Sequence, residues 1–309
     1  TFYLFLVAVN ISWSQQIVRL GNNYSTLSGE ISAFAKDSLG FMWIGTDQGI
    51  KKYSGFSFKS YQLPKRTSGS IKDITGIINH QQQLYVLSKE GYLYKYNFEL
   101  DSFEVIYANP ELDFLSFVPI ENNLFAIGLQ RGFVLIDVSK DEYSTIQHEN
   151  ITYNRTLVYN NEHLYAATSD GVVILKYIEE KSALEIKKTL LSETDILDIS
   201  FDNNNRLWIG TESDGLFIFK ENQVNQILIS ELTKKSYAVR KISFDNNNNA
   251  VVSIDRLGVY VIDPSFTMQN KFSHKVDEPN SINQNSIYSI FIDEKNTYWL
   301  GTRERGINL

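Results

Sequence analysis

"LWIGTESDGLFIF", residues 207–219, reads as two short β-strands around a turn, and its opening returns in "MWIGTDQGIKKY" at 42–53 and in "YWLGTRERGINL" at 298–309. A strand, turn and strand that recurs along one chain points to a repeat architecture. Aligned on the glycine that ends the turn, the series extends to seven copies. They are "WIGTDQG" to Gly49, "YVLSKEG" to Gly91, "FAIGLQRG" to Gly132, "YAATSDG" to Gly171, "WIGTESDG" to Gly215, "VVSIDRLG" to Gly258 and "WLGTRERG" to Gly306. Their spacings of 42, 41, 39, 44, 43 and 48 residues fall in or near the range of a four-stranded propeller blade. Helical repeats share that period, so the local pattern has to decide.

Ahead of the copies stand short alternating or apolar runs, "ISAFAKD", "ILDISFD", "VRKISFD" and "IYSIFID", and behind the glycines come others such as "YLYKY", "FVLID", "VVILK" and "VYVID". A period of two means strands. Asp37, Asp202, Asp245 and Asp293 open the intervening turns "DSLG", "DNNN", "DNNN" and "DEKN", where an aspartate can bond its own backbone. Segments such as "FSFKSY" and "SFEVIY" supply a weaker fourth strand. The expected fold is all-β: a seven-bladed β-propeller of four-stranded antiparallel blades.

The repeated residues have packing duties. Trp43, Tyr85, Phe125, Tyr165, Trp208 and Trp299 are placed by this alignment in one slot, with Val251 as the exception, and large rings suit the wedge between neighbouring blades. The turn glycines permit a positive φ without a Cβ clash. The seventh copy ends at Leu309 in what should be its third strand, while "QIVRL", residues 16–20, stands at a fourth-strand offset with no blade of its own. The N-terminal strand is therefore expected to complete the seventh blade, removing the exposed edges of an open ring.

The chain has 309 residues, 43% hydrophobic and 13% aromatic, enough for a sizeable core. Its net charge of −7, without a basic block, argues against nucleic acid as a partner. The absence of cysteine removes disulfides, thiol nucleophiles and zinc-thiolate sites. Residues 1–14 read as the remnant of a secretory signal peptide, an apolar run from Phe2 to Val9 followed by small and polar residues, with a cut near Ser14 and the propeller over 15–309. A buried N-terminal strand is the alternative.

Counting back 12 or 13 residues from each slot aromatic locates the entrance of the innermost strand, on the face where propellers usually bind ligands. It gives Glu30, Asp73, Asp113 and Asp195, with Ala238 and Ser286 at the sixth and seventh positions and Arg155 near the fourth. Arg240 is a second arginine able to meet these acids. The turns inside the repeats should share this face and bring Asp47, Arg131, Glu212, Asp214, Asp255, Arg256, Arg303 and Arg305. Such a mouth suits hydroxyl-rich or charged sugars; alternatively, acids at strand starts only make turn hydrogen bonds.

"DSLGFMWIGTDQGIKKYSG", "SIKDITGI", "DNNNRLWIGTESDGLFIF" and "SINQNSIYSIFIDEKNTYWLGTRERGINL" resemble the two-component regulator propeller repeats over nearly the whole chain after residue 15. The likeness is strong in copies one, five and seven. It implies the periplasmic sensor of a membrane histidine kinase, often a hybrid kinase of Bacteroidetes, that responds to breakdown products of complex carbohydrates. An oligosaccharide ligand is then expected. The neighbours would be a second propeller, a small β-sandwich and a membrane-spanning segment of the same protein, with room for a homodimer.

A secreted carbohydrate-active propeller enzyme, a lyase or glycosidase, is the alternative. "DSLGFMW" departs from the aspartate box of sialidases, since two residues separate Asp37 from Gly40 and no serine precedes the aspartate. His80, His148, His163 and His274 are scattered, whereas the virginiamycin-type lyases, whose repeats look like these, need a central histidine. "DNNNR" and "DNNNN" lack the glycine and distal glutamate of a calcium loop. No catalytic residue, metal ligand or cofactor is assigned.

Overall fold

Alternating runs in the sequence become strands, and four strands at a time become a blade. The computed structural model describes residues 17–20, 27, 29–65, 71–140, 142–146, 151–227 and 237–309. The segment read as a signal remnant, Gln16 of the closing strand and His148 lie outside the described residues. A two-residue strand, β1 (Arg19–Leu20), comes first. Blade 1 is β2 to β5 (Ile31–Lys36, Met42–Thr46, Gly49–Tyr53, Phe58–Tyr61) and blade 2 is β6 to β9 (Ile74–His80, Gln83–Ser88, Tyr92–Asn97, Ser102–Ala108). Blade 3 is β10 to β13 (Phe114–Pro119, Leu124–Leu129, Phe133–Asp137, Glu142–Ile146). Blade 4 is β14 to β17 (Thr156–Asn160, His163–Thr168, Gly171–Ile178, Ala183–Leu190). Blade 5 is β18 to β21 (Ile196–Phe201, Leu207–Thr211, Leu216–Lys220, Gln223–Ile227) and blade 6 is β22 to β25 (Val239–Phe244, Ala250–Ile254, Gly258–Ile262, Met268–Phe272). Blade 7 takes β26 to β28 (Ile287–Ile292, Tyr298–Thr302, Ile307–Asn308) and β1, in the order β1-β28-β27-β26.

The predicted closure is therefore present. Arg19 pairs with Asn308 and Leu20 with Ile307, and Val18 and Leu309 exchange backbone hydrogen bonds of 3.0 and 2.8 Å. The innermost strands of successive blades touch all the way round, β26 meeting β2. Hydroxyls fasten this ring. Thr75 Oγ1 donates to the Phe114 carbonyl at 3.0 Å, Ser116 Oγ to that of Asn154 at 2.7 Å, and Ser289 Oγ to that of Ile31 at 2.6 Å. In blade 5 the acid Asp198 replaces the hydroxyl, receiving Thr156 Oγ1 at 2.7 Å, the Ile242 N–H at 2.8 Å and Lys241 Nζ at 2.9 Å.

Second strands such as Met42–Thr46 and Leu207–Thr211 are buried throughout, because blades cover both their faces, which is why they read as unbroken apolar runs. The fourth strands form the outer rim and are largely exposed, so their sequence signal is weak. Trp43 and Trp208 are fully buried between their own blade and the next. By area, each such ring contributes about 4–6 kcal/mol. Gly45 and Gly301 permit this approach: a Cβ at either would stand 2.7 Å from Cγ2 of an isoleucine in the next blade, Ile74 or Ile31.

One slot assignment is corrected. Register pairs Met42 with Lys36 and Trp43 with Ala35, whereas Phe125 pairs with Pro119 and Ala126 with Val118. Ala126 thus occupies the tryptophan slot of blade 3, and Phe125 matches Met42. A shift of one residue along a strand reverses the face. The Phe125 ring accordingly packs back against Tyr85 of blade 2, at 4.8 Å between centroids.

Candidate functional site: the mouth of the ring

Every inner strand starts at the same end of the ring, so the seven residues just ahead of them, Glu30, Asp73, Asp113, Arg155, Asp195, Ala238 and Ser286, surround one entrance. Backbone bonds tie five of them to the turn that follows the second strand of their own blade. The N–H groups of Asp47, Lys89, Glu212, Asp255 and Arg303 donate to the carbonyls of Glu30, Asp73, Asp195, Ala238 and Ser286 at 2.8–3.2 Å. The buried threonine of the repeat shapes that turn: Thr46 Oγ1 donates to the Gly49 carbonyl at 2.8 Å and accepts the Gln48 N–H. All seven turn glycines have positive φ.

The expected residues are brought to one rim, but the acids are not one cluster. Asp195 is held apart from the rest by a bidentate ion pair with Arg155 across blades 4 and 5, Nη2 to Oδ2 being 3.1 Å. Glu30, Asp47, Asp73 and Asp113 form an acidic arc on blades 1 to 3. Burial pushes the Glu30 carboxyl above its ordinary pKa, Asp47 and Asp73 push it further, and Arg303 and Arg240 oppose them. Burial also raises Asp73; Lys89, 3.8 Å away, opposes, while Glu90, Asp47 and Asp113 add to the rise. Asp113 accepts a hydrogen bond from the Gln130 amide.

Blades 6 and 7 carry the opposite charge. Asp255 receives Ser286 Oγ at 2.8 Å and stands 3.5 Å from Arg240 Nη2 and 3.9 Å from Arg256 Nε. Arg240 and Arg303 both lie over the Tyr288 ring, at 4.7 and 5.9 Å, and Arg256 lies over Tyr237 at 5.5 Å. Arg305 reaches the Asn283 carbonyl at 3.3 Å, and Arg131 joins Thr152 in an isolated bridge. Asp214 and Glu212 are exposed turn residues, the Asp214 N–H donating to Thr211 Oγ1 at 2.8 Å.

Sequence reasoning missed the aromatics of this rim. Tyr153 is 48% exposed, has φ of 54° and stands 5.7 Å from the Arg155 guanidinium. A bulky residue in the left-handed region is strained by roughly 1–2 kcal/mol, and nothing in the sequence marks it. Tyr288 and Arg240 sit at bulges, register shifts that six of the seven inner strands carry directly after their first residue. Bulges re-aim side chains, and simple alternation gives no sign of them. Below the rim lies an axial cavity of about 230 Å³ whose walls include Ser32, Thr75, Ser116, Thr156, Lys241 and Ser289.

Among the described residues, no three histidine, aspartate or glutamate side chains gather as a metal site. His80 and His163 stand at the far end of the ring, bonded to the carbonyls of Asn122 and Asn161, and His274 lies in the loop after β25, 2.8 Å from the Ile282 carbonyl. No helix among the described residues is long and apolar enough to cross a membrane.

This geometry can be set beside known proteins. The family model of the two component regulator propeller matches residues 26–48, 190–213 and 281–304, in copies one, five and seven. No curated protein matches the chain in sequence. Two similar solved structures are extracellular domains of proteins described as hybrid two component systems of B. thetaiotaomicron. BT3049 has 21% identity over 95% of this chain and 41% of that one, with a TM-score of 0.77, and BT4673 has 21% over 96% and 39%, with 0.74. The chain thus spans about two fifths of their length. A virginiamycin B lyase from Staphylococcus aureus, with quinupristin, has 12% identity over 95% of this chain and 98% of that one, with a TM-score of 0.76. At such identities the likeness is one of fold, and the match to the two component regulator propeller model is confined to copies one, five and seven of the repeat.

Proposed function

We propose that this chain is the exported sensor propeller of a membrane two-component histidine kinase and that its mouth takes an oligosaccharide released from a complex carbohydrate. The observation that carries the binding half is Tyr153: an exposed ring held in a strained backbone beside the Arg155–Asp195 pair. Strain retained at a concave polar site is a mark of function, and a ring beside fixed hydrogen-bonding groups is what a sugar needs for stacking and hydroxyl recognition. The reading of export rests on residues 1–14 as a signal remnant. The sensing half follows the repeat family, and the partners in this reading are a downstream propeller, a β-sandwich and a membrane span of the same protein, with homodimerisation as the means of signalling. Binding of an oligosaccharide panel to the purified chain tests it, with Tyr153→Ala, Asp73→Ala and Asp195→Ala as probes. Folded variants that bind like the parent would move the site away from the mouth.

The fold likeness to a virginiamycin B lyase favours a second reading, a secreted lyase or glycosidase. Against it, His80 and His163 stand at the far end of the ring, and the His274 ring is engaged with the Ile282 carbonyl in the loop after β25. Cleavage of any panel member that survives repurification would favour this second reading.

A further inference from the structure

The two charged arcs of the mouth differ in how well they are matched. On blades 6 and 7, Arg240 and Arg256 share one carboxylate, Asp255, whose Oδ1 is already occupied by Ser286 Oγ, and Arg303 lies beside Arg240 on the Tyr288 ring. The contacts of Arg240 and Arg256 with Asp255, at 3.5 and 3.9 Å, are ion pairs longer than hydrogen bonds. Arg303 makes no side-chain ion pair among the described residues, and Arg240 Nε is buried without a hydrogen-bond partner there. The guanidiniums are nevertheless fixed in place. Arg240 and Arg303 share the Tyr288 face, and Arg256, with φ of 65°, is braced on Tyr237. The exposed N–H groups of these guanidiniums, two of which Asp255 holds only loosely, can take the acceptors of a bound anion. Planar forks held on aromatic faces suit an incoming carboxylate or sulfate better than a neutral hydroxyl. Further round the ring, Asp73 and Asp113 on blades 2 and 3 repel the same group, so an acidic ligand would bind in one orientation.

We infer that blades 6 and 7 form an anion subsite, and that the oligosaccharide taken by this mouth is an acidic one, with its carboxylate or sulfate on Arg240 and Arg303 and its neutral hydroxyls toward Asp73 and Asp113. This rests on the sensing reading above and narrows it to a ligand class.

The test is calorimetric titration of the full chain with three sets of probes: uronate-containing oligosaccharides, their carboxyl-reduced neutral counterparts, and sulfated neutral oligosaccharides. An acidic member is expected to bind at least roughly tenfold more tightly than its neutral counterpart, and more weakly as NaCl is raised through the screening range. Arg303→Gln and Arg240→Gln are each expected to reduce that affinity roughly tenfold, the scale of one charge-assisted contact, while leaving neutral sugars unaffected. Tighter binding of the carboxylated or of the sulfated set identifies the anion. Equal binding of neutral and acidic members, or acidic binding that both folded arginine variants retain, overturns the anion subsite and leaves the sensing reading standing. Binding of no member overturns both.

Discussion

Asp37 and Trp43, six residues apart at the two ends of a hairpin turn, are joined by a 2.8 Å hydrogen bond from the indole Nε1 to carboxylate Oδ2. The other oxygen accepts the Leu39 and Phe41 N–H groups at 3.0 and 2.9 Å. One aspartate thereby shapes the turn and orients the ring that fills the wedge between blades. Asp202 holds Trp208 in the same way at 3.0 Å, and Asp293 holds Trp299 at 3.4 Å. In blade 6, where Val251 replaces tryptophan, Asp245 Oδ2 accepts from Asn249 at 2.9 Å and from the Tyr298 hydroxyl of blade 7 at 2.9 Å. Trp208→Phe keeps most of the buried area but removes one of the two donors to Asp202 Oδ2, leaving Arg206 Nε at 2.6 Å, and the loss of that hydrogen bond to a charged group should cost about 1.5–3 kcal/mol. A double-mutant cycle with Asp202→Ala in urea unfolding should give a coupling of about 1–3 kcal/mol. A coupling near zero would show that turn and ring act independently.

Acid should loosen the blades through the same residues. Burial opposes the charge on Asp202, but the Arg206 backbone N–H, Trp208 and the Arg206 side chain outweigh it and hold its pKa below the ordinary value of 3.8. Asp293 is lowered likewise: burial opposes, and the Thr297 N–H and Trp299 prevail. A depressed acid adds stability that is complete above the unfolded pKa and is lost as pH falls through the lower folded one. The unfolding midpoint should therefore drop below about pH 4, and Asp202→Asn should flatten that part of the curve. A variant with an unchanged acid limb would rule out this assignment.

At the mouth the sign is reversed. Burial raises Glu30 and Asp73, so each costs stability once pH rises above the unfolded values of 4.5 and 3.8. Glu30→Gln and Asp73→Asn should raise the melting temperature at pH 7 and lose that advantage near pH 3.5. Melting curves at both pH values decide it, and a destabilised pair at pH 7 would contradict the direction of both shifts.

Gly301→Ala should be severe for a single methyl. Its Cβ would meet Ser289 Oγ at 2.2 Å and Ile31 Cγ2 at 2.7 Å, at the junction between the last and first blades. Overpacking of this kind costs about 1–3 kcal/mol and should lower the melting temperature relative to the parent. A melting temperature equal to the parent's would mean that the ring yields at its closure.

Removing residues up to Leu20 takes away the strand that pairs with Ile307–Asn308 and leaves an exposed strand edge in blade 7. Loss of cooperativity in unfolding and concentration-dependent association in gel filtration are expected. A truncated chain that stays monomeric with an unchanged midpoint would show that β1 is dispensable.

What the sequence determined by itself was everything carried by local chemistry repeated often enough to count. Seven turn glycines, seven strand pairs and the unpaired "QIVRL" define blade number, strand order and closure, because each is a property of the chain within one blade length. The height of Glu30, Asp73, Asp113 and Asp195 on the inner strands followed from the same counting. Tertiary structure decided what depends on neighbours about 42 residues away. It moved Phe125 to the other wedge, since only cross-strand register tells Ala126 from Phe125 in "LFAIG". It separated Asp195 from the other acids by pairing it with Arg155 of the previous blade, and it gathered Arg240, Arg303 and Tyr288 on one side. Charge balance at a mouth is a sum over blades, and the strain at Tyr153 is set by a loop held from both sides, through the Gln130 carbonyl at 2.8 Å and the Asn154 anchor to Leu129 at 2.9 Å. Neither quantity exists in one repeat, so neither could be read until the ring was closed.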